Sequence, residues 1–595
     1  MNLSGMPKKF NFIFILFYNR YLLITMHLFN HFHQNSCCVA SKNNDNKASK
    51  NNDNKASKNN INNNAKIKKR TMSNLELYFN DTVKLNPSLG SYLGKREYDN
   101  DYENPLSSEY KKNIKKIISK YKNSPVITLD DKILKYIIEE KITQNKVKNF
   151  DDLLPPLYSF FNIVINFTSD NKQYPLKTSE DFENLVKRHK KYMKFIDSCI
   201  KQMKEGMKCR VVLSKFICKR MIERLDKFYN DKSYVIEEVP EEYAGIFKQY
   251  GRKLKELIAF IKTKYLKKCI NGHGLCYLPN GKKMYKFFVS QKTTTDKTPS
   301  EIHQIGLKEV ARLKGEFELL KTKMGFGNLT LLQFYDKMRN DPNNYYTTSA
   351  GVIQGYENAK AKIEQLIMPK YFRTKVISFE IKAVPKELEE GSPGAYYSPG
   401  NSSGKVGVFY VNTKNIKDNP KFNMVALTLH EGNPGHHYQF QYALDKGIPE
   451  YKTYAIDETA YSEGWGLYAE SLGDTLYDQA TADGRFNYYG RLNYEMFRAL
   501  RLVVDTGIHY YGWSHKKALN YMLKYSSFEK SEVDTEVERY ICLPGQALAY
   551  KIGQMFISDL KTEYMKKPGA DIKIFHDKIL ENGVLPLTLL GQQFT

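Results

Sequence analysis

The sequence predicts a mainly α-helical protein with one small β-sheet, and three observations support this fold class. Apolar residues recur at three- and four-residue spacing, the period of an amphipathic helix, over most of the chain between residues 75 and 323. This spacing is clearest in residues 114–121, 130–141, 180–200 and 254–266. β-branched and aromatic residues cluster instead in residues 376–384 and 406–413, which predicts two strands. Helical spacing then resumes, as in residues 545–565.

Three local signals refine this prediction. Residues 272–290 carry Gly and Pro between aromatic residues and predict a turn-rich β segment. Residues 391–404 are rich in Gly, Ser and Pro, so we expect a loop that joins the two predicted strands. A long helix is predicted to begin at Pro299 and to extend to Lys323.

The first 71 residues differ from the rest in composition. An eight-residue unit, SKNNDNKA, occurs twice from residue 41 and is followed by an Asn-rich tract. A segment with so few apolar residues cannot form a core, so residues 1–71 are predicted to be a disordered low-complexity extension. Residues 10–29 within it form an apolar stretch that resembles a signal peptide or membrane anchor. Arg20 interrupts this stretch at a cost of about 2.5–3.5 kcal/mol in a bilayer, which favours a cytoplasmic location over a membrane-anchored or secreted one.

The net charge of +26 raises the question of an anionic partner such as a nucleic acid. Lysine is spread along the whole chain, however, and the sequence has no basic stripe interleaved with aromatic residues and no nucleic-acid motif. A compositional bias toward Lys and Asn explains the charge without such a partner. The eight cysteines are scattered and form no CxxC pair, which argues against a cysteine-ligated zinc site and against a disulfide framework.

The segment LTLHEGNPGHHYQ, residues 427–439, carries the residues most typical of metal chemistry. In the HExxH motif of zinc peptidases, two His four residues apart bind the metal from one helix face, and the Glu acts as general base. His430 and Glu431 begin this motif, but Pro434 occupies the position of the second His. His436 follows His430 by six residues, which at about 100° per residue would point it away from His430 on a regular helix.

Pro434 and Gly435 resolve this conflict, because neither residue continues a helix well. We therefore predict that the helix breaks at residues 433–435 and that the chain then returns a His to the metal. Looping out two of the four residues between Glu431 and His436 restores the HExxH spacing, so His436 is the predicted second ligand and His437 is the alternative. A helix end followed by a surface His pair would explain one His, but three His and a Glu fall within eight residues of a chain that has 12 His.

A tetrahedral zinc site needs a third protein ligand and keeps one position open for water. Glu463 follows His430 by 33 residues, which is enough for a helix, a turn and an antiparallel return. Aromatic neighbours would bury its carboxylate, and a buried carboxylate requires a partner such as a metal. A solvated helix face carrying Glu463 and Glu470 is the weaker explanation, because the segment is poor in basic residues. The predicted cofactor is one zinc ion bound by His430, His436 and Glu463.

Six sequence boxes in a fixed order resemble the family catalogued as domain of unknown function 885, which is marked by an HExxPGHH box. The boxes are EIHQIGL from Glu301, FYVNT from Phe409, the segment around His430, EGWGLYAE from Glu463, VDTGIH from Val504 and PGQALAYKIG from Pro544. The resemblance extends from about Met72 to the end of the chain. The arrangement also resembles the gluzincin peptidases, in which two His and a downstream Glu bind zinc on mostly helical scaffolds. These resemblances imply an oligopeptidase-like helical architecture with a central cleft, Glu431 as catalytic base and Glu463 as third ligand.

Two further residues are predicted to take part in catalysis. His509, in VDTGIH, and Tyr550, in QALAY, can each stabilise the oxyanion of a tetrahedral intermediate. The simpler explanation is that a His after a helix is a cap and that a buried Tyr only packs.

Four more residues are predicted to bind the substrate. Arg498 and Arg501 lie on one predicted helix and can bind a substrate carboxylate. Tyr410 and Asn412 lie on the second predicted strand, which can bind an extended peptide by strand addition.

Together these residues predict a zinc-dependent hydrolase that cleaves the peptide bonds of short peptides. Residues 72–375 are expected to form a helical wall or lid over the cleft, and residues 376–595 the catalytic part with the small sheet and the zinc-site helices. Two alternatives remain open. One is a zinc hydrolase of a non-peptide amide or ester, and the other is a non-catalytic basic binding protein. The sequence predicts no oligomeric state.

Overall fold

The computed structural model describes residues 71–146, 164–386, 389, 394–400 and 406–595, apart from residues 166, 169, 172, 173 and 457. The predicted extension, with its apolar stretch at residues 10–29, lies outside the described residues except for Thr71. None of the helices that the structure describes combines the length and the apolar character needed to cross a bilayer. The predicted location of the chain therefore stays a prediction.

Helices dominate the described chain, so the mainly α-helical fold class predicted from the sequence is confirmed. The described α-helices that precede the sheet are α1 (Asn74–Leu85), α2 (Pro87–Tyr92), α3 (Ser108–Tyr121), α4 (Leu129–Lys146), α5 (Ser179–Cys209), α6 (Lys215–Asn230), α7 (Glu241–Phe260), α8 (Gly281–Thr293), α9 (Pro299–Lys323), α10 (Leu331–Asn340), α11 (Ser349–Leu366) and α12 (Met368–Tyr371).

The small sheet comes next in the chain, and helices again follow it. Its described strands are β1 (Glu380–Ala383), β2 (Ala395–Ser398) and β3 (Val408–Val411). The helices after the sheet are α13 (Met424–Glu431), α14 (His436–Asp445), α15 (Glu450–Tyr454), α16 (Thr459–Glu470), α17 (Ala482–His509), α18 (His515–Tyr525), α19 (Lys530–Cys542), α20 (Gln546–Tyr564), α21 (Ile572–Leu580) and α22 (Leu587–Gly591).

The start of α9 shows how local sequence sets a helix boundary. Pro299 is the first residue of the helix, a position at which a missing N–H costs little. The Thr298 hydroxyl accepts a hydrogen bond from the Glu301 N–H at 3.3 Å, and the Glu301 carboxylate accepts one from the Thr298 N–H at 2.7 Å. The predicted start at Pro299 and the predicted end at Lys323 are both confirmed.

The turn-rich β segment predicted over residues 272–290 is wrong. Leu275–Tyr277 form a single 3-10 turn, and α8 then begins at Gly281. Tyr285 on this helix is fully buried in an apolar core that it shares with Leu502 and Leu548. This packing selects a helix in spite of the aromatic, strand-like composition.

The sheet has the order β1–β3–β2, with β3 in the centre. β1 runs parallel to β3, with Ile381 opposite Phe409, and β2 runs antiparallel to it, with Tyr397 opposite the same residue. β2 lies in the segment that the sequence predicted to be a loop. Because β3 pairs on both sides, it offers no edge for a peptide, and the predicted strand addition to residues 406–413 is wrong.

Two large apolar cores hold the helices together. One joins residues such as Leu254 to Leu500, and the other joins residues such as Leu75 to Trp465. Each core draws on helices before and after residue 375, so the two parts predicted from the sequence pack against each other. The closest helix pairings are α16 with α20 and α9 with α17, and the first of these positions the site described next. The six cysteines within the described residues are free thiols.

Candidate metal centre

The helix that carries His430 ends where the sequence predicts a break. His430 and Glu431 form the last turn of α13, and α14 begins at His436 after a four-residue turn. A Cβ atom on Gly435 would lie 1.9 Å from the carbonyl oxygen of His430, so only glycine fits in this turn. The predicted break at residues 433–435 is confirmed.

A tryptophan from α16 fixes the turn between α13 and α14. The Nε1–H group of Trp465 donates to the carbonyl oxygens of Pro434 at 2.9 Å and Gly435 at 3.2 Å. These carbonyls follow the broken end of a helix, where backbone acceptors have no partner within the helix. The indole therefore satisfies the turn and holds the first residue of α14, His436, at a fixed distance from α16.

Glycines bring α16 close to its neighbours. Gly464 lies against Gly553 of α20, where a Cβ would come within 2.6 Å of the facing backbone. A Cβ on Gly466 would lie 2.7 Å from the His430 ring. The helix that carries Glu463 therefore approaches α20 and the His430 ring so closely that no side chain fits at these two glycines.

The three predicted ligands converge on one point. One ligand atom each from His430, His436 and Glu463 lies within 4.8 Å of the other two, and all three residues are buried. The Glu463 Oε2 atom is 3.4 Å from Nε2 of His430 and 3.6 Å from Nε2 of His436. Zinc ligands at about 2.0–2.1 Å in tetrahedral geometry lie about 3.3 Å apart, so these separations fit a bound ion.

One predicted ligand atom of this cluster, Oε2 of Glu463, is buried without a hydrogen bond to any of the described residues that would explain its burial. Its distances to the two imidazoles exceed those of a well-formed N–H···O hydrogen bond. An unpaired buried carboxylate oxygen costs several kcal/mol, on the order of the values for buried charges, and a cation bound between the three residues removes this cost.

The charges of the cluster are strongly coupled in the metal-free protein. Burial disfavours the imidazolium form of His430, yet the carboxylates of Glu463 and Glu470 raise its pKa to about 9. Burial likewise disfavours the Glu463 carboxylate, but the neighbouring imidazoles of His430 and His436 lower its pKa below the ordinary range. The site therefore stabilises a carboxylate next to a positive charge, as a metal centre requires.

Glu470 positions the first ligand, a role that the sequence analysis missed. Its Oε1 atom lies 2.8 Å from Nδ1 of His430, and its side chain is buried. A carboxylate on the far nitrogen of a metal-binding His fixes the orientation of the ring and leaves Nε2 for the metal. Glu470 follows Glu463 by seven residues, or two helical turns, so the two carboxylates share one face of α16. That spacing is the feature of the sequence from which the role of Glu470 could have been predicted.

His437 has a structural role. Its Nε2–H group donates to the carbonyl oxygen of Ile377 at 2.7 Å, and its Nδ1 atom accepts from the Tyr397 hydroxyl at 2.9 Å. Burial lowers its pKa to about 4, so the ring stays neutral. With both nitrogens occupied, His437 is not available as a ligand, and the structure selects His436.

Glu431 lies beside the three ligands in the wall of a cavity. Its side chain is 2% exposed, and its Oε2 atom accepts a hydrogen bond from the Tyr397 backbone N–H of β2 at 3.0 Å. Burial raises the pKa of the carboxyl, while the charges of His430 and His436 oppose this effect. The sheet thus contributes a backbone donor that orients Glu431.

The cavity next to these residues has a volume of about 430 Å³. His430, Glu431, Glu463 and Tyr550 line it, and α17 contributes further polar side chains. The residues of the 72–375 part that line it are Arg339, Asn340, Pro342 and Tyr345. The helical part therefore forms one wall of the cavity, and the candidate metal site opens into it.

A family model described as "Bacterial protein of unknown function (DUF885)" matches residues 87–594. The chain belongs to this family. The resemblance inferred from the six sequence boxes is therefore confirmed. No curated protein matches the chain.

Solved structures of two other proteins show the same fold. One is described as a "putative lipoprotein" from Colwellia psychrerythraea; it is 24% identical, its match covers 87% of this chain and 98% of its own, and its TM-score is 0.76. Another, described as a "putative lipoprotein of unknown function" from Shewanella oneidensis, is 16% identical with the same coverage and a TM-score of 0.65. At these identities the likeness concerns the fold alone.

Of the remaining predicted site residues in this DUF885 chain, three line the cavity. Tyr550 lies on α20 beside Glu463, and the charge of Glu463 acts on its hydroxyl. Arg498 and Arg501 lie on α17, on the same cavity wall. These residues are brought together with the predicted ligands, as the sequence analysis expected.

Three other predicted residues do not line the cavity. Both ring nitrogens of His509 bind backbone groups, with Nδ1 accepting from the Leu275 N–H at 3.1 Å and Nε2 lying 2.8 Å from the Tyr540 carbonyl oxygen. Tyr410 stacks on a tyrosine of β2. The Asn412 amide donates to the carbonyl oxygen of a loop residue at 2.8 Å. The structure therefore gives these three residues structural contacts in place of the predicted catalytic and substrate-binding roles.

Proposed function

We propose that this protein is a zinc-dependent hydrolase that cleaves peptide bonds, with short peptides as its substrates. The observation that carries the proposal is the buried cluster of His430, His436 and Glu463 beside the Glu431 carboxyl in the cavity wall. Imidazole nitrogen and carboxylate oxygen are zinc ligands, and a catalytic site has three protein ligands and one open position. The Glu470 carboxylate on His430 gives further support, because metal-binding His residues typically have such a partner.

Glu431 is the proposed general base. When bound, zinc supplies polarisation of the scissile carbonyl and acidifies a water molecule to a pKa of about 7. Glu431 accepts the proton of the attacking water and returns it to the leaving amine. Its carboxyl accepts a hydrogen bond from the Tyr397 N–H, and burial raises its pKa, which suits a group that both takes and gives a proton.

Tyr550 is the proposed donor to the developing oxyanion. Burial, together with the charge of Glu463, raises the pKa of its hydroxyl well above the ordinary value. The phenol therefore keeps its proton at neutral pH and can donate a hydrogen bond into the cavity. Donors of this kind stabilise the transition state more than the substrate, because the negative charge develops only as the reaction proceeds.

The outer edge of β2 is the proposed binding site for the peptide backbone. The Tyr397 N–H points away from β3 toward Glu431, and Asn412 of the opposite segment donates to the carbonyl oxygen of Gly394 at 2.8 Å. Because successive residues of a strand face alternate sides, the backbone groups of Ala395 face the same way as those of Tyr397. Ala395 lines the cavity, so β2 can add a peptide strand there.

This edge favours a peptide over a non-peptide amide or ester, because backbone hydrogen bonds to an open strand recognise an extended peptide. The cavity of about 430 Å³ and its helical wall favour short peptides over folded proteins. The general base beside the ligands favours catalysis over binding alone. The zinc ion and the substrate class are the two parts of the proposal that require direct measurement.

The purified protein is expected to contain one zinc ion per chain and to cleave members of a mixed peptide library. Zinc content is measured by elemental analysis, and cleavage by mass spectrometry of the library. A chelator should stop cleavage, and added zinc should restore it. Stoichiometric zinc with cleavage of amides or esters but no peptides would support the non-peptide hydrolase. Protein that binds no zinc would support the binding protein.

Replacing Glu470 with Gln is expected to weaken zinc binding about 10- to 100-fold, because the neutral amide no longer orients and polarises the His430 ring. Competition with a zinc chelator of known affinity measures the change. Glu458→Gln is the matched control, since this buried glutamate directly precedes α16 and does not line the cavity. An unchanged zinc affinity in Glu470→Gln would contradict the proposed role of this carboxylate.

A further inference from the structure

Two arginines of α17 line the cavity, and each has a buried guanidinium N–H group without a partner among the described residues. Arg498 is 8% exposed and Arg501 is 5% exposed. Nε of Arg498 and Nη1 of Arg501 are buried and have no hydrogen-bond partner among the described residues. A buried guanidinium group with an unused donor is costly, so this wall of the cavity fits an anionic group of a ligand.

The carboxylates around these arginines are shared and do not supply the missing partners. Arg501 donates from Nη2 to Glu536 at 3.1 Å, but Arg539 donates to the same carboxylate through two hydrogen bonds of 2.7 Å each. Arg498 lies 3.9 Å from the Glu470 carboxylate, which already binds His430 at 2.8 Å. Positive charge therefore remains on this wall.

Other acidic residues of the cavity balance this charge poorly. Asp418, Glu529 and Glu532 line it as well. Burial raises the pKa of Asp418 to about 6 and that of Glu532 to about 8; repulsion from Glu529 adds to the first shift, and repulsion from Asp418 adds to the second. Glu529 forms its ion pair with Arg339 at 2.8 Å.

Each arginine lies next to a residue that in turn interacts with a proposed metal ligand. Arg498 faces Glu470, which binds His430. The guanidinium carbon of Arg501 lies 4.5 Å from the ring centre of Tyr550, whose hydroxyl feels the charge of Glu463. An anion bound by the two arginines would therefore lie close to the bond that the proposed base and ligands attack.

We propose that Arg498 and Arg501 bind a carboxylate of the substrate and so select peptides that carry a carboxylate next to the scissile bond. A planar guanidinium matches a carboxylate with paired N–H donors. The carboxylate has two sources: the C-terminal α-carboxylate, which would make the protein release C-terminal residues, or an Asp or Glu side chain. The link to cleavage rests on the proposed function, whereas carboxylate binding itself does not.

The test measures binding to the metal-free full-length protein, so that neither zinc nor turnover contributes. Calorimetry compares three probes: N-acetyl-Ala-Ala-Phe as the free acid, the same peptide as its C-terminal amide, and N-acetyl-Ala-Ala-Glu amide. The free acid or the Glu amide is expected to bind at least about tenfold more tightly than the Phe amide. Preference for the free acid assigns the α-carboxylate, and preference for the Glu amide assigns the side chain.

Arg498→Gln and Arg501→Gln are each expected to remove most of this preference. Arg491→Gln is the matched control, because Arg491 lies on the same helix, pairs with Glu495 at 3.4 Å and does not line the cavity. It should keep the full preference. If Arg501→Gln fails to fold without its bond to Glu536, Arg498→Gln still tests the proposal, because its Nη1 makes only a 3.4 Å bond to a backbone carbonyl.

Equal binding of all three probes would overturn the proposal, as would a preference that survives in both arginine variants. These outcomes differ from failure of the proposed function, which would appear as absent zinc or absent cleavage in the wild-type protein. If the protein prefers the free acid in this assay but cleaves no peptide, the proposed carboxylate site would stand and the proposed hydrolase activity would be wrong.

Discussion

Replacing Glu431 with Gln is expected to lower kcat by about 100-fold or more while the protein keeps its zinc. The amide oxygen of Gln can still accept the hydrogen bond from the Tyr397 N–H, so the shape of the site is preserved. The amide cannot take a proton from water, so only the chemical step is lost. Steady-state cleavage of the best peptide from the library, together with elemental analysis of the variant, measures both effects.

Glu463→Gln is the contrasting variant, because it changes a second buried glutamate of the same cavity. It is expected to lose zinc and therefore turnover, since the ligand loses its charge. If Glu431→Gln cleaves the peptide as fast as the wild-type protein does, Glu431 is not part of the mechanism. Loss of zinc from Glu431→Gln would instead make Glu431 part of the metal site.

His436→Gln and its neighbour His437→Gln are expected to fail in opposite ways. His436→Gln should lose zinc and activity with little change in the stability of the metal-free protein, because His436 Nδ1 has no hydrogen-bond partner among the described residues. His437→Gln should keep zinc but lose about 2 kcal/mol or more of stability. Its ring is fully buried and binds both Ile377 and Tyr397.

Denaturant unfolding in the presence of a chelator measures stability for this pair, so that loss of bound zinc does not itself lower the free energy of unfolding. Elemental analysis gives the zinc content without chelator. The two adjacent histidines have the same chemistry and differ only in the direction of their rings. Retained zinc in His436→Gln together with lost zinc in His437→Gln would reverse the assignment of the second ligand.

The helices were predictable because their signals are local. The boundaries of α9 follow from Pro299 and the Thr298–Glu301 capping box, which lie next to each other in the sequence. The break between α13 and α14 follows from Pro434 and Gly435 for the same reason. In both cases the backbone chemistry of a few adjacent residues decides the structure.

β2 and α8 were harder to predict than β1 and β3, because distant contacts decide them. β2 lies in a Gly-, Ser- and Pro-rich segment and becomes a strand by pairing with β3. The segment before α8 is held by the Leu275 N–H, which donates to His509 from 234 residues away. Neither partner is visible from the local sequence.

In the candidate site, too, local sequence determines some features and distant contacts determine others. The convergence of His430, His436 and Glu463 could be predicted because zinc chemistry restricts both residue type and spacing. The role of His509 could not be predicted, because it depends on Leu275 and on the Tyr540 carbonyl, which reach the ring only in the folded chain. The choice of His436 over His437 was similarly settled by Ile377 and Tyr397.

The hydrogen bonds from Trp465 to the turn before His436 have a consequence for how the proposed zinc ion would bind. On an unbroken HExxH helix, two ligands are in place as soon as that helix forms. Here the two histidines belong to separate helices, and the element that sets their separation also carries the third ligand. An isolated peptide spanning α13 and α14 would therefore lack a preformed pair of ligands. Binding of the proposed zinc ion would therefore require α16 to be docked, and the bound ion would in turn stabilise that docking.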